Sequence, residues 1–273
     1  MYAIIAGQGV LPLNVAQALH GTDTTFIWCC LEGFENDAPF DAALMVFRIE
    51  QLGTFLSELK SAGVTKVCFA GAMHRPALDP SAIDAATMPL VPRMMAALQA
   101  GDDGALRTVI QFFEEAGFSV AAPHELARDL LPASGVLTQN GPNERDQNDI
   151  ARGHQVLDGL AALDLGQGCV VQQGQVISIE TLPGTDWMLS RLADAPFAAR
   201  PKPTNGRGVF VKRPKVGQDL RIDMPVIGPN TVEAVSNAGL GGIAIKAGGV
   251  MVLEREKTVE LANAAGLFIL VQD

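Results

Sequence analysis

Between positions 180 and 223 the chain carries Glu180, Asp186, Lys212, Arg213, Asp219, Arg221 and Asp223. Carboxylates from neighbouring loops can hold magnesium, which takes a few carboxylates, several waters and substrate phosphates. Lys212 and Arg213 suit phosphate oxygens, Arg with the geometry for two parallel hydrogen bonds. Three of the charges alternate in GQDLRIDMPVIGPNT, residues 217–231. As a strand, that stretch sends Leu220 and Ile222 to one face and Asp219, Arg221 and Asp223 to the other. Spacing alone leaves two readings open, a metal and phosphate site or a solvated edge of weak ion pairs.

A second group lies near the N-terminus. GQGVLP puts Gly7 and Gly9 between an apolar run and an amphipathic stretch, where backbone amides could approach a phosphate. The dinucleotide fingerprint wants a third glycine, and position 12 is proline. Glu32 stands roughly where a ribose-binding acid would be, so a nicotinamide-dependent oxidoreductase is one alternative. A plain tight turn is the other. His74 and Arg75 follow an apolar run, at a strand end of the kind where open α/β sheets bind ligands. Asp102 and Asp103 read as helix caps. Serine-hydrolase, zincin and P-loop motifs do not occur.

These residues need elements to hold them. Apolar runs at Tyr2–Ala6, Thr24–Cys30, Ala43–Arg48, Lys66–Ala70 and Phe118–Ala121 alternate with helical stretches near 13–19, 51–62, 90–99 and 105–116. That order implies a mostly parallel sheet with helices on both faces, a Rossmann-like first domain over 1–131. PASGVLTQNGP, within 132–142, has the Pro, Gly, Ser and Asn of a linker. A second, mixed α/β domain follows over 143–273. It opens with a helix at about 143–163 and a hairpin turning near Gln173-Gly174. Thr185 or Asp186 would cap its next helix.

With 48% hydrophobic residues and 18% charged, the chain is well cored, and a net charge of −10 argues against general nucleic-acid binding. Cys29, Cys30, Cys68 and Cys169 show no metal or disulfide spacing and read as buried thiols in a reducing cytoplasm. The sequence shows no signal peptide and no membrane-spanning run, so membrane contact would be peripheral.

The stretch from GVFVKRPKVGQDLRIDMPVIGP to LFILV resembles the C-terminal domain of the LpxI-type UDP-2,3-diacylglucosamine pyrophosphatases. IIAGQGVLP, the GDD at Gly101–Asp103, AGFSVAAPHEL and ETLPGTD resemble the same family in order. The resemblance implies a lipid A enzyme of a Gram-negative bacterium with two α/β domains and a divalent metal, magnesium or another such as manganese. It implies hydrolysis to UMP and 2,3-diacylglucosamine 1-phosphate, with water directed to the phosphorus nearer the sugar. On that footing Asp223 is the first choice for the essential acid and metal ligand, Asp219 the second and Asp186 the third. Lys212 and Arg221 would meet phosphate oxygens, while Thr185 and the Gly7, Gln8, Gly9 loop would touch the substrate elsewhere. The expected partner is a glycolipid nucleotide, and the expected place the cytoplasm or the inner membrane's surface. Contact with an anionic membrane would be weak at a charge of −10. Monomer and homodimer stay open, and a non-catalytic nucleotide or lipid carrier is the remaining alternative.

Overall fold

A computed structural model describes residues 1–34, 37–73, 78–99, 102–161, 163–194 and 200–273. His74 and Arg75 lie outside the described residues. The chain divides into one unit of Met1–Arg128 with Asp219–Asp223, and a second of Asp129–Gln218 with Met224–Asp273.

The first unit runs β1 (Tyr2–Ala6), α1 (Leu11–His20), β2 (Phe26–Leu31), β3 (Ala43–Phe47), α2 (Leu52–Ser61), β4 (Lys66–Ala70), α3 (Val91–Gln99), α4 (Asp102–Glu115), β5 (Ser119–Val120) and α5 (Pro123–Leu126). Its sheet has the order β3-β2-β1-β4-β5, and every pairing is parallel. This is the doubly wound order expected when each strand crosses over through a right-handed connection. β1 and β4 are apolar on both sides because helices cover both faces. Leu52, Phe55 and Leu59 recur at helical spacing along α2 and pack with Ile5, Phe69 and Phe113. Asp102 and Asp103 fall in the first turn of α4, which begins at Asp102.

The second unit runs β6 (Gly135–Val136), α6 (Glu144–Ala161), β7 (Gly168–Gln172), β8 (Gln175–Ile179), α7 (Gly184–Ala193), β9 (Val209–Lys212), β10 (Val226–Ile227), α8 (Pro229–Asn237), β11 (Gly242–Lys246), β12 (Met251–Val252), α9 (Arg255–Ala264) and β13 (Phe268–Gln272). Its main sheet has the order β6-β13-β11-β9-β7-β8, with β9, β11 and β13 parallel and β6 and β7 antiparallel to their neighbours. The stretch 132–142 is therefore more than a connection, since Val136 and Gly135 pair with Leu270 and Val271.

Period-two alternation splits this sheet cleanly. Phe210, Ile243, Ile245 and Ile269 enter one core with α7 and α8, while Val209, Val211, Ala244 and Leu270 meet Ile150 and Leu157 of α6 on the other. The β7–β8 hairpin turns on Gln173 and Gly174, both at positive φ as a type I′ turn demands. Asp149 of α6 accepts hydrogen bonds from both turn amides, at 3.0 and 2.7 Å. Cys29, Cys30, Cys68 and Cys169 are all buried free thiols, and burial pushes Cys169 up to about 12, far from nucleophilic use at neutral pH. Among the described residues no helix is long and apolar enough to cross a membrane.

Candidate active site

In the second unit, chemistry gathers where the parallel strands end. Lys212 closes β9 and is only 7% exposed. Its Nζ donates to the Thr185 hydroxyl at 2.8 Å, and that hydroxyl donates to Glu180 Oε2 at 2.7 Å. The register explains the meeting. Gly168 of β7 stands opposite Lys212, and Cys169 opposite Ile179 at the end of β8, so β7 begins and β8 ends beside the last residue of β9. Glu180 then bonds through its N–H to Gly168 O at 2.8 Å, and α7 starts at Gly184. Gly168 leaves room for the acid, since a Cβ there would lie 2.7 Å from Glu180 Oε2. Thr185 is not the helix cap expected from sequence. Pro183 occupies that position, and the hydroxyl relays between Lys212 and Glu180 instead.

The same edge holds further cations. Arg213 pairs with Asp158 at 3.0 Å and Lys215 with Asp164 at 2.6 Å. His154 Nε2 meets the Gln272 side-chain amide at 3.0 Å. Burial, with Arg213 next, holds His154 below the usual imidazole range. Carboxyl ends of parallel strands are where open α/β sheets receive ligands. A buried ammonium there has shed much of its water already, so an arriving phosphate meets a strong field. Asp186 sits in the first turn of α7 and is exposed.

The 217–231 segment takes a different shape from the expected strand. Residues 219–223 form a tight turn, with the N–H groups of Ile222 and Asp223 donating to Asp219 O at 3.3 and 3.2 Å. β10 starts only at Val226. The cause is local. Asp219 Oδ1 accepts the Arg221 N–H at 3.1 Å and its Nε at 2.9 Å, while Oδ2 accepts Nη2 at 2.7 Å. An aspartate that bonds its own backbone two residues on builds a turn, not a ladder. Arg221 Nη1 also donates to Glu114 of α4 at 2.7 Å, and Ile222 packs on the first unit's core. Those two contacts make Asp219–Asp223 part of the first unit.

This arrangement separates the two turn carboxylates. Hydrogen bonds from Arg221 hold Asp219 well below the usual carboxylate range, and Asp219 with Glu114 raises Arg221. Both oxygens of Asp219 are occupied, and Arg221 serves two carboxylates. Either could reach a metal or phosphate only by giving up part of this fork. Asp223 is partly buried.

The glycine loop after β1 is built for close approach. Gly7 N–H donates to Ala70 O, and Gln8 and Ala72 exchange both backbone bonds at 2.8 and 3.0 Å. A Cβ on Gly7 would stand 2.6 Å from Ala72 O. Two of the amides that a phosphate cradle would use are thus spent on the end of β4 and the loop after it, which explains the glycine without a dinucleotide. Glu32 pairs with Arg48 at 3.0 Å. Gly9, at φ +92°, provides the turn into α1.

The LpxI N-terminal domain family matches residues 1–130, and the LpxI C-terminal domain family matches 133–270. A Caulobacter vibrioides protein named UDP-2,3-diacylglucosamine pyrophosphatase LpxI is 34% identical over 270 residues, spanning 99% of this chain and 96% of that protein. The chain belongs to the LpxI family. Within this LpxI-family chain, the two groups that stand out physically are the Lys212–Thr185–Glu180 relay and the Asp219–Asp223 turn. Residue type flagged Lys212, Thr185 and Asp223 in the sequence, but not the relay through Glu180. The only signal for that was the five-residue spacing across Pro183-Gly184 in ETLPGTD.

Among the described residues no group of three or more His, Cys, Asp or Glu is placed to hold a metal ion. A magnesium site of the usual enzymatic kind does not need one, because one or two carboxylates with waters and substrate phosphates suffice. Asp223 is the carboxylate that the sequence ranks first for such a role. Asp219, closed onto Arg221, fits it less well.

Proposed function

We propose that this chain hydrolyses the pyrophosphate of UDP-2,3-diacylglucosamine, releasing UMP and 2,3-diacylglucosamine 1-phosphate. The observation that carries this reading is the buried Lys212 at a strand's carboxyl end, in a chain that matches the Caulobacter pyrophosphatase almost end to end. A pyrophosphate repels an incoming water through its own negative charge, so catalysis has to be mostly charge neutralisation and positioning. Lys212 neutralises phosphate oxygens, and Thr185, bridged to Glu180, fixes where the ammonium points. Asp223 accepts a hydrogen bond from the attacking water and directs its lone pair at the phosphorus nearer the sugar. The new P–O bond forms there as the bond to the bridging oxygen breaks, UMP leaves with that oxygen, and the water's proton passes to Asp223 and on to solvent. Asp219 and Arg221 hold the turn that carries Asp223. A divalent cation bound through Asp223 and the phosphates would supply further charge neutralisation. Asp186 is the reserve carboxylate on α7.

The metal part of the reading has its own test. EDTA-treated protein should release UMP at a few per cent of its original rate or less, with recovery on adding excess magnesium. Full activity after chelation would remove the metal and leave Lys212 as the main source of neutralisation.

A further inference from the structure

The edge of the second unit that holds Lys212 also carries apolar side chains that no core explains. Leu182 is 90% exposed, Val216 75%, Leu163 67% and Trp187 50%, with Leu165 and Ile179 also exposed. Leu163 and Leu165 precede β7, Ile179 ends β8, Leu182 precedes α7, Trp187 lies in the first turn of α7 and Val216 follows β9, and hydrogen bonds weave these segments together. Arg213 N–H donates to Gln167 O at 2.9 Å, Glu180 N–H to Gly168 O at 2.8 Å, and Lys215 bonds Asp164 at 2.6 Å. The strand register puts the start of β7, the end of β8 and the end of β9 side by side, so all six share one edge. Isolated exposed leucines are ordinary, but six apolar groups on one interlocked edge mark an interaction surface.

We infer that this edge is the surface by which the protein seats on a lipid bilayer. Its charge favours that occupant. Across 163–168, 179–187 and 212–217, Lys212, Arg213 and Lys215 balance Asp164, Glu180 and Asp186, in a chain whose net charge is −10. The edge is therefore locally neutral, and it escapes the repulsion that the rest of the chain would feel from anionic headgroups. Its apolar groups also stand as prongs rather than as a flat face. Leu182 projects just before the turn at Pro183-Gly184, and Val216 just before Gly217. Prongs insert into a fluid surface better than they pack against a rigid partner. A half-exposed indole suits the headgroup level, where its ring is apolar and its N–H stays wet. The inference rests on the pyrophosphatase reading in one respect only. A diacyl substrate resides in a membrane, and an edge shared with Lys212 would let it be reached there.

Fluorescence of the intact protein tests this without any substrate. Of the two tryptophans, Trp28 is 1% exposed and Trp187 half exposed, so the environment-sensitive signal belongs to Trp187. Titration with phosphatidylcholine vesicles should blue-shift the emission and carry the protein upward in flotation. Binding should be almost unchanged between low and high salt, because apolar insertion at a neutral edge drives it. Leu182→Ser should weaken partitioning about tenfold, with an unchanged circular dichroism spectrum, and Trp187→Phe should abolish the shift. Neither a shift nor flotation up to millimolar lipid would overturn the inference, as would binding that high salt abolishes. A blue shift that grows with protein concentration in the absence of lipid would assign the edge to a second copy instead. UMP release from substrate dispersed in detergent separates the two claims. Activity there without vesicle binding would sink this inference alone, and vesicle binding without activity would sink the pyrophosphatase reading alone.

Discussion

Asp223→Ala should lower UMP release by about a hundredfold to a thousandfold, the usual loss when a group that acts chiefly in the transition state is removed. Substrate affinity should change little, because Asp223 is assigned to the water and not to the sugar or acyl chains. The 3.2 Å bond that closes the turn uses the Asp223 backbone N–H, which the substitution leaves in place, and the circular dichroism spectrum checks that the fold is kept. Asp223→Asn sharpens the test by keeping the shape and removing the charge, and it should be almost as inactive. Asp219→Asn provides the contrast. It loosens the Arg221 fork, so part of its effect should come from a displaced turn. Wild-type rates in Asp223→Asn would remove Asp223 from the chemistry and return the role to Asp219 or Asp186. Unchanged binding with lost turnover would also exclude a plain carrier.

The second large effect belongs to Lys212. Lys212→Met keeps the length of the buried side chain and deletes its charge, and kcat/KM should fall by about a hundredfold or more. Stability should fall as well, because the change takes away the donor to Thr185 and leaves Glu180 without the nearby charge. Thr185→Ala removes the 2.8 Å acceptor that aims Nζ and should cost less, about tenfold. Activity assays alongside urea denaturation check both statements. A Lys212→Met protein that is less stable and fully active would make the lysine structural.

Much of the fold was legible because local pattern and global architecture agree. The five parallel strands of the first unit and the Gln173-Gly174 hairpin follow from apolar runs and turn residues. The 219–223 segment escaped for a physical reason. Alternating Asp, Arg and Asp looks the same in a strand and in a turn closed by an i,i+2 side chain. What decides is non-local, the meeting with Glu114 at a separation of 107 residues and the docking of Ile222. The GQG loop shows the same limit. Sequence shows glycine between strand and helix, but not that Ala70 and Ala72 take the amide hydrogens. At the site, residue type pointed to Lys212 and Thr185. Their meeting through Glu180 depends on the β7–β8–β9 register, which no short motif encodes.

Hydrolysis of UDP-2,3-diacylglucosamine by the purified protein in ¹⁸O-water tests the central claim most directly. The account predicts UMP and 2,3-diacylglucosamine 1-phosphate in equal amounts, with the heavy oxygen in the sugar phosphate. Absence of UMP in the presence of magnesium would contradict the assigned reaction, and label found only in UMP would contradict attack at the sugar-side phosphorus.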